Sequence, residues 1–140
     1  MRLPQSSWPK NPWTVRVLLV LQLNLLYLPW RLWKVVLGLD VGFLPVSTRL
    51  PHPFSIVIHD DCTIGERCTI YNCVTIGTDW KTGVPSLGND VVIFPGACII
   101  GDVSVGDGSV VGANSVVTSD VSAGSVVAGA PAVRVGTRAC

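Results

Sequence analysis

The stretch LPHPFSIVIH, residues 50–59, holds both histidines of the chain, His52 and His59, seven positions apart. An imidazole with its ordinary pKa of about 6.5 can take a proton from a hydroxyl at neutral pH, or ligate a metal in its neutral form. It can equally be a polar surface residue. The five cysteines, Cys62, Cys68, Cys73, Cys98 and Cys140, contain no CxxC pair. The step from Cys62 to Cys68 is wider than the usual gap between zinc ligands. An odd cysteine count argues against a disulfide framework and for a reducing, cytoplasmic compartment. The cysteines therefore read as small buried residues. Which role either histidine plays depends on the scaffold that holds it.

The 140 residues suffice for one domain-sized core, and the composition, 49% hydrophobic and 14% charged, excludes a disordered chain. A formal charge of +1 supplies no basic field for nucleic acid. The N-terminal third differs from the remainder. Residues 1–39 carry Arg2, Lys10, Arg16, Arg31 and Lys34 without one acid, together with Trp8, Trp13, Trp30 and Trp33. The apolar run VRVLLVLQLNLLYLPW is too short and too interrupted for a membrane span, and no small-residue cleavage site follows it. Asn11-Pro12 reads as a helix start and Gly38 as a stop, so a helix is expected over residues 12–37, kinked at Pro29. Its apolar surface runs nearly all round, which calls for burial against protein. Peripheral contact with a membrane, through interfacial tryptophans and basic residues, is the alternative.

From Ile58 onward the sequence repeats every six residues. Ile58, Ile64, Ile70 and Ile76 form one series; Leu87, Ile93, Ile99, Val105, Val111 and Val117 form a second. Two positions before most of these stands another small or apolar residue, as at Ile56, Cys68, Val74, Val91, Ala97 and Ser109. A six-residue step cannot keep one face of an α-helix apolar. Glycine follows many of the aliphatics, at Gly65, Gly77, Gly88, Gly106 and Gly112. A solenoid of very short strands accounts for both features, with the glycines assigned to turns that need positive φ. The segment GTDWKTGVPS, residues 77–86, breaks the phase, so it is expected to project from the coil, with Trp80 and Lys81 exposed on it.

Residues 50–136 resemble the hexapeptide-repeat acyltransferases, and among them the serine O-acetyltransferases. The resemblance is carried by HPFSIVIHDDCTIGERCTIYNCVTIG (52–77), VGANSVV (111–117) and VAGAPAVRVG (127–136). It implies an all-β solenoid, a left-handed parallel β-helix over 43–133, preceded by the helical segment 1–42 and followed by a tail, 134–140. It also implies a homotrimer that binds acetyl-CoA in clefts between subunits. His52 falls where the family's general base stands, which suits acetyl transfer to an alcohol: the base removes the proton as the oxygen attacks the thioester. Thr78 and Ala113 match positions on the CoA side, and Pro95 matches a third but lacks an N–H. Lys81 and Arg134, with Arg138, are candidates for the CoA phosphates. Asn72 and Trp80 are expected near the acceptor, and His59 to be an exposed turn residue.

The departures bear on the acceptor. Pro51 precedes His52 where relatives have aspartate, and the slot of a second histidine preceded by an arginine reads Gly83-Val84. Asp40, the nearest upstream carboxylate, does not match in spacing the one that orients the base. The clamps for an amino acid thus read as missing, which points to a sugar or polysaccharide-precursor hydroxyl, with L-serine the other acceptor. A non-catalytic scaffold is the alternative function. The hexapeptide-repeat carbonic anhydrases hold zinc with three histidines, so with two no metal is expected. The ending GTRAC gives no expectation of a docked partner enzyme.

Overall fold

The structure, a computed structural model, describes residues 40–41 and 44–138. The helix expected over 12–37, its kink and its membrane contact lie outside the described residues. Very short strands wind into a left-handed parallel β-helix with three flat sides. The first side stacks β1 (Asp40–Val41), β2 (Val57–Ile58), β5 (Thr75–Gly77), β8 (Cys98–Ile100) and β11 (Val116–Val117). The second stacks β3 (Thr63–Ile64), β6 (Ser86–Leu87) and β9 (Ser104–Val105). The third stacks β4 (Thr69–Ile70), β7 (Val92–Ile93), β10 (Val110–Val111) and β12 (Ser125–Ala128), with β13 (Val133–Thr137) on its edge.

The hexad is one side of one coil. From β2 to β11 each strand buries its second residue, and the residue two positions earlier turns inward at the preceding corner; β12 buries its first and third residues, Ser125 and Val127, and β13 buries none. Ile56, Ile70, Val74, Ile76, Val91, Ile93, Ala97, Ile99 and Val111 all have zero exposure and form one continuous core. Cys68 belongs to it, whereas Cys62 is half-buried and Cys73 is exposed. Near the end of the coil the inward corner positions become Ser109, Ser115 and Ser125. Ser109 Oγ donates to the Ser122 carbonyl at 3.0 Å, and Ser115 Oγ accepts from Gly129 N at 3.2 Å, so these two burials are compensated.

Parallel pairing sets the length of a coil. Ile58 pairs with Ile76, eighteen residues on, but Ile76 pairs with Ile99, twenty-three residues on. The phase break at 77–86 is therefore a five-residue insertion at one corner of one coil. A second irregularity was not legible in the hexads. Val105 bridges Val121 and Val111 pairs with Val127, sixteen residues on in each case, so the last coil is short by two.

The glycines that follow the aliphatics do a different job from the one expected. Gly65, Gly88 and Gly106 are not at positive φ. They stand where consecutive coils touch: a Cβ on Gly65 would overlap the Gly88 carbonyl, and one on Gly106 the backbone of Ala123. The left-handed positions come two residues later, at Arg67 (φ 57°), Asp90 (57°) and Gly108 (66°), and again at Gly124 (67°) on the next coil. Arg67 and Asp90 are held in that strained conformation by a two-pronged ion pair, 2.9 and 2.7 Å. The segment drawn as a tail from residue 134 is also structured: β13 folds back antiparallel on β12, pairing Arg134 with Val127.

Replacing Ile99 by Asp places an unpaired charge in a fully enclosed core position. The variant is expected to lose its β-sheet circular dichroism or to be insoluble; a soluble, native-like Ile99→Asp protein would contradict the inward register of β8.

Candidate active site

Two corners of the coil collect the residues singled out in the sequence, one at each edge of the first side. The corner between the third and first sides holds His52, Asn72, Pro95 and Ala113 on successive turns. Three backbone bonds stack these turns, with Phe54, two residues past His52, in register with Asn72: Cys73 N donates to Phe54 O at 2.9 Å, Gly96 N to Asn72 O at 3.1 Å, and Asn114 N to Pro95 O at 3.0 Å. The column repeats at the spacing of adjacent strands, about 4.8 Å. His52 is exposed, and its ring centre lies 6.4 Å from that of Tyr71. Tyr71 in turn stacks on Phe94 at 5.3 Å with planes 5° apart. Among the described residues no carboxylate hydrogen-bonds the His52 ring. Pro95 contributes only its carbonyl. Ala113 is exposed, and the turn's bonds are made by its neighbours: Gly112 N donates to Val127 O at 2.8 Å and Asn114 N to Pro95 O. Among the described residues the Ala113 N–H makes no backbone hydrogen bond.

The corner between the first and second sides holds Thr78, Trp80 and Lys81 on the inserted loop. Asp79 organises it, its Oδ1 accepting from Lys81 N at 2.9 Å and from Thr82 N at 2.8 Å. Those amide bonds, Thr82 first, hold its carboxyl down at about 2. Thr78 Oγ1 accepts from Trp80 N at 2.9 Å, and Thr82 Oγ1 accepts from Asp102 N at 3.0 Å, tying the loop to the next coil. Trp80 takes a left-handed φ of 61° and leaves 87% of itself exposed.

His59 differs from expectation. It is not a freely exposed turn residue: its side chain is 32% exposed and its ring meets Trp80 edge to face at 6.3 Å. It lines two adjoining cavities. One, about 270 Å³, has Val57, Thr75 and Gly77 as its floor and Thr78 and Trp80 as its wall. The other, about 460 Å³, adds Lys81, Gly83 and Val84. The missed signal was the coil step, for His59 N donates to the Ile76 carbonyl beside the root of the insertion.

The remaining candidates lie elsewhere. Arg134 is exposed on β13, its Nε directed at Gly136 O at 3.4 Å. Arg138 is turned onto the corner between the second and third sides, donating to Asp90 O at 2.8 Å. Burial pushes the thiols of Cys62, Cys68 and Cys98 upward, which disfavours thiolate chemistry. Among the described residues no three His, Cys, Asp or Glu side chains converge as a metal site would require.

Residues 85–119 match the family model described as bacterial transferase hexapeptide (six repeats). Serine acetyltransferase of Helicobacter pylori strain J99 is 42% identical over 86 residues, covering 59% of this chain and 50% of the relative. The β-helix is similar to the hexapeptide-repeat part of serine acetyltransferases. The chain spans about half the length of that curated relative. Among solved structures, serine acetyltransferase from Brucella abortus in complex with coenzyme A superposes with a TM-score of 0.64 at 31% identity. The match covers 66% of this chain and 38% of that one. Serine acetyltransferase of Neisseria gonorrhoeae in complex with serine gives a TM-score of 0.61 at 30% identity, covering 69% and 39%.

The Asp79 clamp leads to a pH expectation. Its carboxyl is depressed below the ordinary 3.8, so its hold on the loop is complete above that value and is lost as pH falls through about 2. Amide exchange at Lys81 and Thr82 should stay slow from pH 8 down to pH 4, and become fast at neutral pH in Asp79→Ala. Equal exchange in the variant and the parent would contradict the clamp.

Proposed function

We propose that this serine acetyltransferase-like chain transfers an acetyl group from acetyl-CoA to the hydroxyl of a small acceptor, with His52 as general base. The single observation that carries the proposal is the match of the coil to serine acetyltransferases; His52, exposed, stands where the resemblance implies the base. The imidazole of His52 takes the hydroxyl proton as the oxygen bonds to the thioester carbon. Collapse of the tetrahedral intermediate breaks the carbon–sulfur bond, and the leaving CoA thiolate recovers the proton. The Ala113 N–H, without a backbone partner among the described residues, is suited to a carbonyl of the donor's pantetheine arm. Lys81 and Arg134 are exposed cations that suit its phosphates.

L-serine is the acceptor that the relatives favour. A sugar or polysaccharide-precursor acceptor, expected from the missing clamps, finds no support in them, and Gly83-Val84 still offers no charged group to an amino acid. The two predicted clusters occupy opposite edges of the first side, which favours a cleft closed by a second copy, as in a homotrimer.

The test is acetyl-CoA consumption with thiol release, run against L-serine, homoserine, free sugars and nucleotide sugars. Turnover is expected with L-serine, and His52→Ala should reduce it by about two to four orders of magnitude. Because His52 is exposed, the melting temperature should not change. Undiminished turnover in His52→Ala would remove His52 as the base, and a chain that neither binds nor consumes acetyl-CoA would be the scaffold. Sedimentation of a dilute sample should give a trimer; an active monomer would contradict the shared cleft.

A further inference from the structure

We infer that His59 is the acceptor-positioning residue of this site, and that it serves the His52 of a neighbouring copy. The inference rests on the acetyl-transfer function proposed above and adds a residue to it.

His59 is the imidazole that lines both cavities at the loop corner, while His52 lines neither. Its orientation is built in. Asp61 N donates to His59 Nδ1 at 3.3 Å, so the neutral ring carries its proton on Nε2. The edge-to-face contact with Trp80 restrains the ring from the loop side. Trp80 is itself placed by Thr78, and the loop by Asp79. An Nε2–H donor held in this way, with the Thr78 hydroxyl beside it, suits a carboxylate or hydroxyl of a small polar acceptor. Asp60, Asp61 and Lys81 supply two carboxylates and one ammonium to the lining, which suits a ligand carrying charges of both signs.

The same chain cannot apply both histidines to one small acceptor. Between them run the corner at residues 53–55 and β2, which crosses the whole first side. At about 3.3 Å per residue, the extended step from Ile56 to His59 alone covers about 10 Å. A general base must come within about 3 Å of the proton it removes. A second copy that brings its own third-to-first corner against the loop corner removes the difficulty.

Purified full-length chain at saturating acetyl-CoA, with L-serine as the varied probe, tests this. His59→Ala should raise the KM for L-serine about tenfold or more, the loss of one well-placed hydrogen bond, with the KM for acetyl-CoA unchanged. His59→Gln, which keeps an N–H donor at similar reach, should recover most of that loss; a purely structural role would show no such rescue. Co-expressed His52→Ala and His59→Ala chains should regain up to about one quarter of parental activity at low L-serine, because randomly mixed neighbours form one intact site in four. An unchanged KM for L-serine in His59→Ala overturns the positioning role. Absence of regained activity in the mixture overturns the sharing between copies. Parental chain that consumes acetyl-CoA with none of the acceptors removes the acetyl-transfer function and this inference together.

Discussion

Every part of this molecule answers to the parallel ladder that joins one coil to the next. Backbone pairing holds successive coils about 4.8 Å apart, which leaves room inside for one layer of side chains per coil. Two inward residues per side fill that layer. They are mostly small or branched aliphatics, because nothing larger fits; of the inward serines, Ser109 and Ser115 are compensated by their hydroxyls' bonds, whereas Ser125 Oγ finds no partner among the described residues. The same spacing excludes a Cβ where Gly65, Gly88 and Gly106 meet the next coil. It also forces left-handed backbone at the corners, even on Arg67, Asp90 and Asn114. The core is therefore a stack of identical constraints, and stability is distributed nearly evenly along it.

Such regularity makes the exceptions informative. The five-residue insertion at one corner does not disturb the pairing of β5 with β8 or of β6 with β9, since a corner can lengthen while the sides stay in register. What the insertion creates is a wall. Thr78 and Asp79 fold it through side-chain acceptors, and Trp80 is presented over a groove floored by the first side. The outer surfaces differ as well. The second side shows Thr63, Ser86 and Ser104 to solvent, while the first and third show Val57, Phe94 and the ring of Tyr71. The polar side is finished as a surface, and the two apolar sides flank the corner that carries His52.

Legibility of the site was uneven, for a physical reason. His52 could be located because a motif around it matches a family, and Thr78, Trp80 and Lys81 because the hexad phase breaks there. His59 was underrated because linear spacing groups it with His52, whereas the coil separates the two and sets His59 beside a loop eighteen residues and more away. Arg138 looked like a free cation in the sequence and is spent on a backbone carbonyl of another coil. The cysteines, read together as buried, divide by their place in the hexad: Cys68 faces in and Cys73 sits at a corner.

The sequence by itself determined the solenoid, its inward-facing residues and the place where it is interrupted, because a hexad is a local pattern and strict periodicity has few structural solutions. It also carried the candidate base through a resemblance. Only the tertiary structure decided why the glycines are needed, how the last coil shortens, that residues 133–137 pair with β12, and which candidates share a corner. These are relations between coils, about eighteen residues apart in the chain and one strand spacing apart in space. Hydrophobic periodicity reports which way a residue faces, but it does not report what stands beside it on the next coil.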